Sequence, residues 1–341
     1  MALRREVLNE ASWFPISLTN DYRSIVFAKT NDLVLGSEPF LDRRFYQSVP
    51  ERCSVPVDDI PPTPLQKEPS WIFHSAFCCS TLLAAALHET QGCLALKEPD
   101  VLMDLANAKR MLPKTDDGRS HYNLLKDIVF TLLSRQHDDR PIVIKPTNTA
   151  NNLLEDVLAL GHQVTIITSS LPDFLVSVAK KGEACRHFIR TVYNIFSLDP
   201  SGLQNFPSRQ AMTFTDFQVS TLIWRAQMEL FSDMAARYPD QIVTLTDREF
   251  LENKEQTLTE LCGHFDLSVD EDTIRNLVDG RFFEVNAKFD DQRFSDQIRD
   301  EQSNLVKAMF DDDIALIDQW ASKVRLQREI TLPLPNNLHT A

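Results

Sequence analysis

Glycine is scarce in this chain, at eight of 341 residues, so any loop that needs left-handed backbone has few residues that adopt it freely. The six cysteines, Cys53, Cys78, Cys79, Cys93, Cys185 and Cys262, include no CxxC pair. That is neither a disulfide framework nor a zinc spacing, and it fits a reducing compartment. No apolar run reaches the roughly eighteen residues that a membrane span needs. The opening MALRREVLNEASWFP also lacks the apolar core of a secretory signal. A soluble, cytoplasmic protein is therefore expected. Basic residues are the minority, 35 Lys and Arg against 49 Asp and Glu for a net charge of −14. Nucleic acid is thus an unexpected partner, because affinity for a polyanion comes largely from clustered Lys and Arg. Any anionic ligand has to be held by local donors.

With 43% apolar and 25% charged residues, the chain can bury a sizeable core. The stretch VPVDDIPPTPLQKEP, Val55 to Pro69, carries five prolines and reads as an extended connector. It separates an N-terminal extension and connector, 1–66, from a main domain, 67–325, with a tail at 326–341. After the connector, short apolar runs alternate with helical patterns. The runs are Trp71 to His74, Ile142 to Lys145, Val164 to Thr168 and Ile242 to Leu245; the helical stretches include Tyr122 to Gln136, Phe174 to Lys180, Phe217 to Ala236 and Leu258 to Phe265. This alternation predicts an α/β fold with a mostly parallel central sheet. Ligands in such sheets sit at the carboxyl ends of strands, which points to the loops after His74, Lys145 and Thr168. The segment Phe294 to Arg325 reads as helical and acidic, with Asp311, Asp312 and Asp313 as a solvated face rather than a metal site. The tail TLPLPNNLHTA reads as loose.

The stretch SWIFHSAFCCSTLLAAAL, Ser70 to Leu87, has the order strand, tight loop, helix found where phosphates rest on a helix N-terminus. A Walker A loop needs glycine for close backbone approach and lysine for the β- and γ-phosphates. Both are missing here, so an ATP-dependent kinase is disfavoured. A cysteine nucleophile at Cys78 or Cys79 is also disfavoured, since a phosphatase loop needs an arginine several residues on and Ser80 to Leu87 holds none. What remains is a helix start with N–H groups and two hydroxyls that can hold a terminal phosphate without metal.

These residues resemble the sulfotransferases that use 3′-phosphoadenosine 5′-phosphosulfate (PAPS), and the chain reads as a divergent bacterial-type member. Cys78 to Leu83 falls on the S-G-T-T-L-L of that family's 5′-phosphosulfate loop. Leu96-Lys97-Glu98-Pro99 is similar to its L-R-E-P element, and Lys145-Pro146-Thr147-Asn148 to a K-P-x-N element at a strand end. Asp173 to Ser177 falls on D-x-L-x-S, where the family binds the 3′-phosphate. Ile242 to Ile274 resembles a further element, and Asn286-Ala287-Lys288 a late basic one, so the resemblance runs from about Trp71 to Phe289. Three positions depart from the pattern: Phe77 stands for a basic residue, Cys79 for glycine and Ser169 for arginine. Lys145, Lys180, Lys181, Arg186, Arg190 and Lys288 are candidate substitutes.

The resemblance implies a three-layer α/β/α fold of P-loop NTPase type. It further implies transfer of a sulfuryl group from PAPS to a hydroxyl or amine of a small-molecule acceptor, with no metal. Cofactor binding then falls to Phe77, Cys78, Cys79, Ser80, Thr81, Leu82, Ser169, Ser177 and Lys288. Lys145 neutralises charge, and Glu98, or His74 second, is the general base. Each also has a structural reading: Ser80 and Thr81 as a helix cap, His74 as a hydrogen-bonded core histidine, Glu98 as a loop brace. The alternative for the whole chain is a non-catalytic nucleotide-binding or protein-interaction module.

Overall fold

The computed structural model describes residues 6–8, 10–61, 68–135, 140–206, 208–284, 296–328 and 330–340. Strands β1 (Trp13–Leu18), β2 (Ser24–Lys29) and β3 (Arg52–Pro56) form an antiparallel sheet. Strands β4 (Ser70–His74), β5 (Leu94–Lys97), β6 (Ile142–Lys145), β7 (Val164–Thr168) and β8 (Ile242–Thr246) form a second sheet in the order β5-β6-β4-β7-β8. In it β6 runs parallel to β5 and β4, and β7 parallel to β8. Helices flank this sheet, as the alternating pattern predicts. Every residue of β4, β5, β6 and β7 is buried, which is why β4, β6 and β7 read as short apolar runs. Among the described residues, no helix is long and apolar enough to cross a membrane.

The chain falls into two compact units, the division lying within β4. One comprises Met1–Ile72, Thr81–Gln163 and Leu261–Leu277; the other comprises Phe73–Ser80, Val164–Glu260 and Val278–Ala341.

In the first unit, β1 is tied to the helix Asp100–Met111 by the Leu18 N–H, which donates to Asp104 Oδ2 at 2.8 Å. Burial raises the Asp104 carboxyl to about 6, above its value in an unfolded chain. A group whose folded pKa is raised contributes stability that is complete below its unfolded pKa and is lost as pH rises through the folded one. Between about pH 4 and 6, Asp104 is therefore expected to withdraw about 2 kcal/mol. Asp104→Asn keeps an acceptor for Leu18 and removes the titration. Its stability gain over the parent in urea should grow from pH 4 to pH 7; a constant difference would show that Asp104 does not titrate there.

In the second unit, capping residues set the helix starts. Ser170 Oγ accepts from the Asp173 N–H and caps Leu171–Lys180, while Thr215 with Gln218 and Thr246 with Glu249 form capping boxes at Asp216–Arg237 and Asp247–Glu252. The C-terminal residues are not loose. The Thr244 N–H donates to the Asn336 carbonyl and the Leu338 N–H to the Thr244 carbonyl, both at 2.8 Å. Further in, the buried Glu229 carboxylate accepts the N–H groups of Leu326, Gln327 and Arg328 at 3.3, 3.0 and 2.9 Å. A sequence rich in Pro and Asn reads as mobile, but here several of its backbone groups find fixed partners.

Candidate functional site

The loop after β4 is stitched to its surroundings in the second unit by backbone and side chain alike. The Ser75 N–H donates to the Ile167 carbonyl at 3.3 Å, Gln227 Nε2 donates to the Ser75 carbonyl at 3.1 Å, and Cys78 Sγ contacts the Ile167 carbonyl at 3.3 Å. His74 is buried, and its Nδ1 accepts the Ala76 N–H at 3.1 Å, bracing the turn. Ala76, Phe77 and Cys79 have φ of 69°, 55° and 58°. Left-handed backbone at residues with a Cβ costs about 1–3 kcal/mol apiece and persists where the surroundings over-determine it. Glycine is what this conformation favours, so Cys79→Gly is expected to raise stability by about 1 kcal/mol, read as an upward shift of the melting temperature. A fall would mean that the cysteine's packing outweighs its strain.

The loop leads into the helix Ser80–Glu89, whose first residues Ser80, Thr81 and Leu82 are buried. The first turn of any helix leaves N–H groups without intrahelical acceptors. Phe77, where the resembled motif is basic, packs its ring 5.3 Å from that of Phe174, and Lys181 Nζ lies 4.9 Å from the Phe77 centroid. A cation thus stands beside the position that lacks one. Of the other candidate cations, Arg190 is committed to Asp216 and to the Phe214 carbonyl, while Lys180 and Arg186 are exposed. Lys288 lies outside the described residues.

Beyond β7, Ser169 has its backbone held from two sides. Its N–H donates to Ser75 Oγ at 3.3 Å and its carbonyl accepts Trp224 Nε1 at 2.9 Å. Its hydroxyl, on a residue 2% exposed, has no hydrogen-bond partner. Ser177 is half-buried on the helix Leu171–Lys180. Ser169 lines a cavity of about 520 Å³ at the carboxyl ends of β7 and β8, walled by Trp224 and Met228 and by Leu332 to Leu334 of the tail. Its polar lining includes Ser170, Thr246 and Arg248.

In the first unit, the ends of β5 and β6 carry a buried ion pair. Lys145 is 0% exposed, and its Nζ donates to Glu98 Oε1 at 2.6 Å. Glu98 sits at φ 55°, and the reason is visible in the backbone. Its N–H donates to the Lys145 carbonyl at 2.6 Å; on either side the Leu41 N–H donates to the Lys97 carbonyl at 2.7 Å and the Asp100 N–H to the Leu41 carbonyl at 2.9 Å. Three hydrogen bonds hold one left-handed residue, and they fix where its carboxylate points. Lys97 turns the other way, with its Nζ donating to the Gly36 carbonyl, and burial lowers its ammonium to about 8.

Leu41 and Arg248 escape sequence reading. Leu41 acts through backbone groups that leave no trace in residue type, and Arg248 sits in TDREF, a stretch read for its acidic and apolar positions. The only available signal for Arg248 was a lone cation following a strand end. Among the described residues, no group of three or more His, Cys, Asp or Glu side chains is placed to hold a metal ion.

The chain is thus a parallel α/β protein with a strained loop and helix start after β4 and a buried ion pair at the ends of β5 and β6. Solved structures similar to it include the sulfotransferase domain from the curacin biosynthetic pathway, at 13% identity over 79% of this chain and 95% of that one, with a TM-score of 0.40. A second is the sulfotransferase domain of the Synechococcus PCC 7002 olefin synthase, at 16% identity over 80% and 93% of the two chains, with a TM-score of 0.39. A third is retinol dehydratase solved with androsterone and the inactive cofactor PAP, at 12% identity over 79% and 84%, with a TM-score of 0.40. No protein-family model matches the chain, and no curated protein does.

Proposed function

We propose that the chain transfers a sulfuryl group from PAPS to a hydroxyl or amine of a small-molecule acceptor. The observation that carries this reading is the Glu98–Lys145 pair. Lys145 occupies one carboxylate oxygen and leaves Oε2 without a hydrogen-bond partner among the described residues, so the same group can be anchored and still take a proton. When bound, PAPS supplies the sulfur–oxygen bond that breaks as the acceptor oxygen or nitrogen attacks, leaving 3′-phosphoadenosine 5′-phosphate (PAP). Such transfer asks the protein mainly to position groups and to stabilise charge.

In this reading Glu98 accepts the acceptor's proton, and Lys145 fixes Glu98 while lending positive charge to the sulfuryl oxygens. The backbone of Phe77 to Leu82, with the hydroxyls of Ser80 and Thr81, holds the 5′ side, and Ser177 contributes to the 3′ side. His74 keeps the loop in shape. Two observations fit an incoming anion. Cys79 takes the left-handed conformation that glycine provides in the resembled motif, and the Ser169 hydroxyl is buried without a partner. Calorimetric titration with PAP, run beside ADP and ATP with Mg²⁺, tests the reading. Selective binding of PAP is the expected result; binding of none of the three overturns it.

A further inference from the structure

We infer that Tyr46, outside the stretch that carries the family resemblance, is a positioning residue: through the Leu41 carbonyl it holds the turn that aims the Glu98 carboxylate. This rests on the proposed role of Glu98 as proton acceptor and adds to it a requirement for the segment from Gly36 to Tyr46. Glu98 has two reasons to leave its φ of 55°. It carries a Cβ, and Pro99 follows it, which favours extended backbone at negative φ. Freed of restraint, Glu98 takes that extended form, and its carboxylate moves away from the Lys145 ammonium.

Leu41 opposes that release. It is fully buried, its N–H donates to the Lys97 carbonyl and its own carbonyl accepts the Asp100 N–H, so it spans the Glu98–Pro99 step from both sides. Tyr46 fixes this carbonyl. Its hydroxyl, on a residue 4% exposed, donates to the Leu41 carbonyl at 2.5 Å, using the second lone pair of an oxygen already bonded to Asp100. Burial, with the Asp100 carboxylate nearby, pushes the phenol well above its usual range. It therefore stays a donor at any working pH. Tyr46 is itself held, since its N–H donates to the Asp42 carbonyl at 3.2 Å and its carbonyl accepts the Val49 N–H and the Arg52 guanidinium. The other end of the segment is anchored too. The Lys97 ammonium donates to the Gly36 carbonyl, and a Cβ on Gly36 would lie 2.3 Å from the His88 ring, so the helix Asp32–Ser37 comes this close only because glycine stands there. Lys97 is thus gripped by its side chain and by its carbonyl.

Tyr46→Phe removes the donor and keeps the ring, and three measurements on the full chain read the result: amide hydrogen exchange, titration with PAP, and release of PAP from PAPS with water and alcohol, phenol and amine probes as acceptors. Exchange at the Leu41 and Asp100 amides should quicken about tenfold, while the amides of β6 stay as in the parent. PAP affinity and the KM for PAPS should not change. The kcat should fall about ten- to a hundredfold, as for a reacting group displaced by about 1 Å. Phe45→Leu alters the neighbouring buried ring without touching the hydroxyl, so it should lower the urea midpoint and leave kcat alone. This separates aim from stability. A parental kcat in Tyr46→Phe, unchanged exchange at Leu41 and Asp100, or an equal kcat loss in Phe45→Leu overturns this inference alone. A parent that binds no PAP, or releases none from PAPS, overturns the proposed function, and this inference with it.

Discussion

Glu98→Gln is expected to abolish turnover, leave PAP binding intact and lower stability by about 3 kcal/mol, near the lower end of the cost of removing one charge of a buried pair. The stability loss arises because Lys145 is fully buried and Glu98 is its partner at 2.6 Å. Structural and chemical losses then have to be separated. In the double variant Glu98→Gln with Lys145→Met, both charges are gone, and replacing a buried pair by apolar groups is often near neutral. The double variant should recover much of the stability lost by Glu98→Gln and none of the turnover. Denaturant unfolding and a sulfuryl-transfer assay on the same preparations measure the two arms of this cycle. Turnover surviving in Glu98→Gln would remove the residue from the chemistry and leave it a brace.

The second large effect concerns the carboxylate that holds the C-terminal residues. Glu229 accepts three backbone N–H groups and lies 3.3 Å from Arg225 Nε. Glu229→Gln exchanges an acceptor-only group for one that also carries two donors. It should cost about 3 kcal/mol or more. Hydrogen exchange at Leu326, Gln327 and Arg328 should accelerate by orders of magnitude, ahead of global unfolding. Unchanged exchange at these amides would mean that other contacts anchor the segment.

How much of this was legible in the sequence follows from what each element encodes. β4, β6, β7 and β8 were readable because strands covered on both faces are unbroken apolar runs. β5, Leu94–Lys97, was recognised only as part of a motif. The antiparallel sheet went unread: β1 is buried at five of its six residues without alternation, and its register with β2 shifts between Pro15 and Ser17. The helix Gly182–Phe196 also went unread, although its buried residues Cys185, Ile189, Val192, Tyr193 and Phe196 keep the helical spacing. At the candidate site, residue types pointed to Glu98 and Lys145. Their pairing, the left-handed backbone at Glu98 and the role of Leu41 depend on hydrogen bonds between distant segments, which residue type does not record.

The pairing of Thr244 with Asn336 and Leu338 has a consequence for how the protein behaves in crowded solution. β8 is the last strand of its sheet, and an outermost strand offers a row of unsatisfied donors and acceptors to any extended chain that meets it. The parallel bridge between Thr244 and Asn337 places Asn336 to Leu338 where a foreign strand would dock, and Pro333 and Pro335, just before that bridge, have no N–H to extend the ladder. This segment thus works as a self-supplied guard against edge-to-edge aggregation.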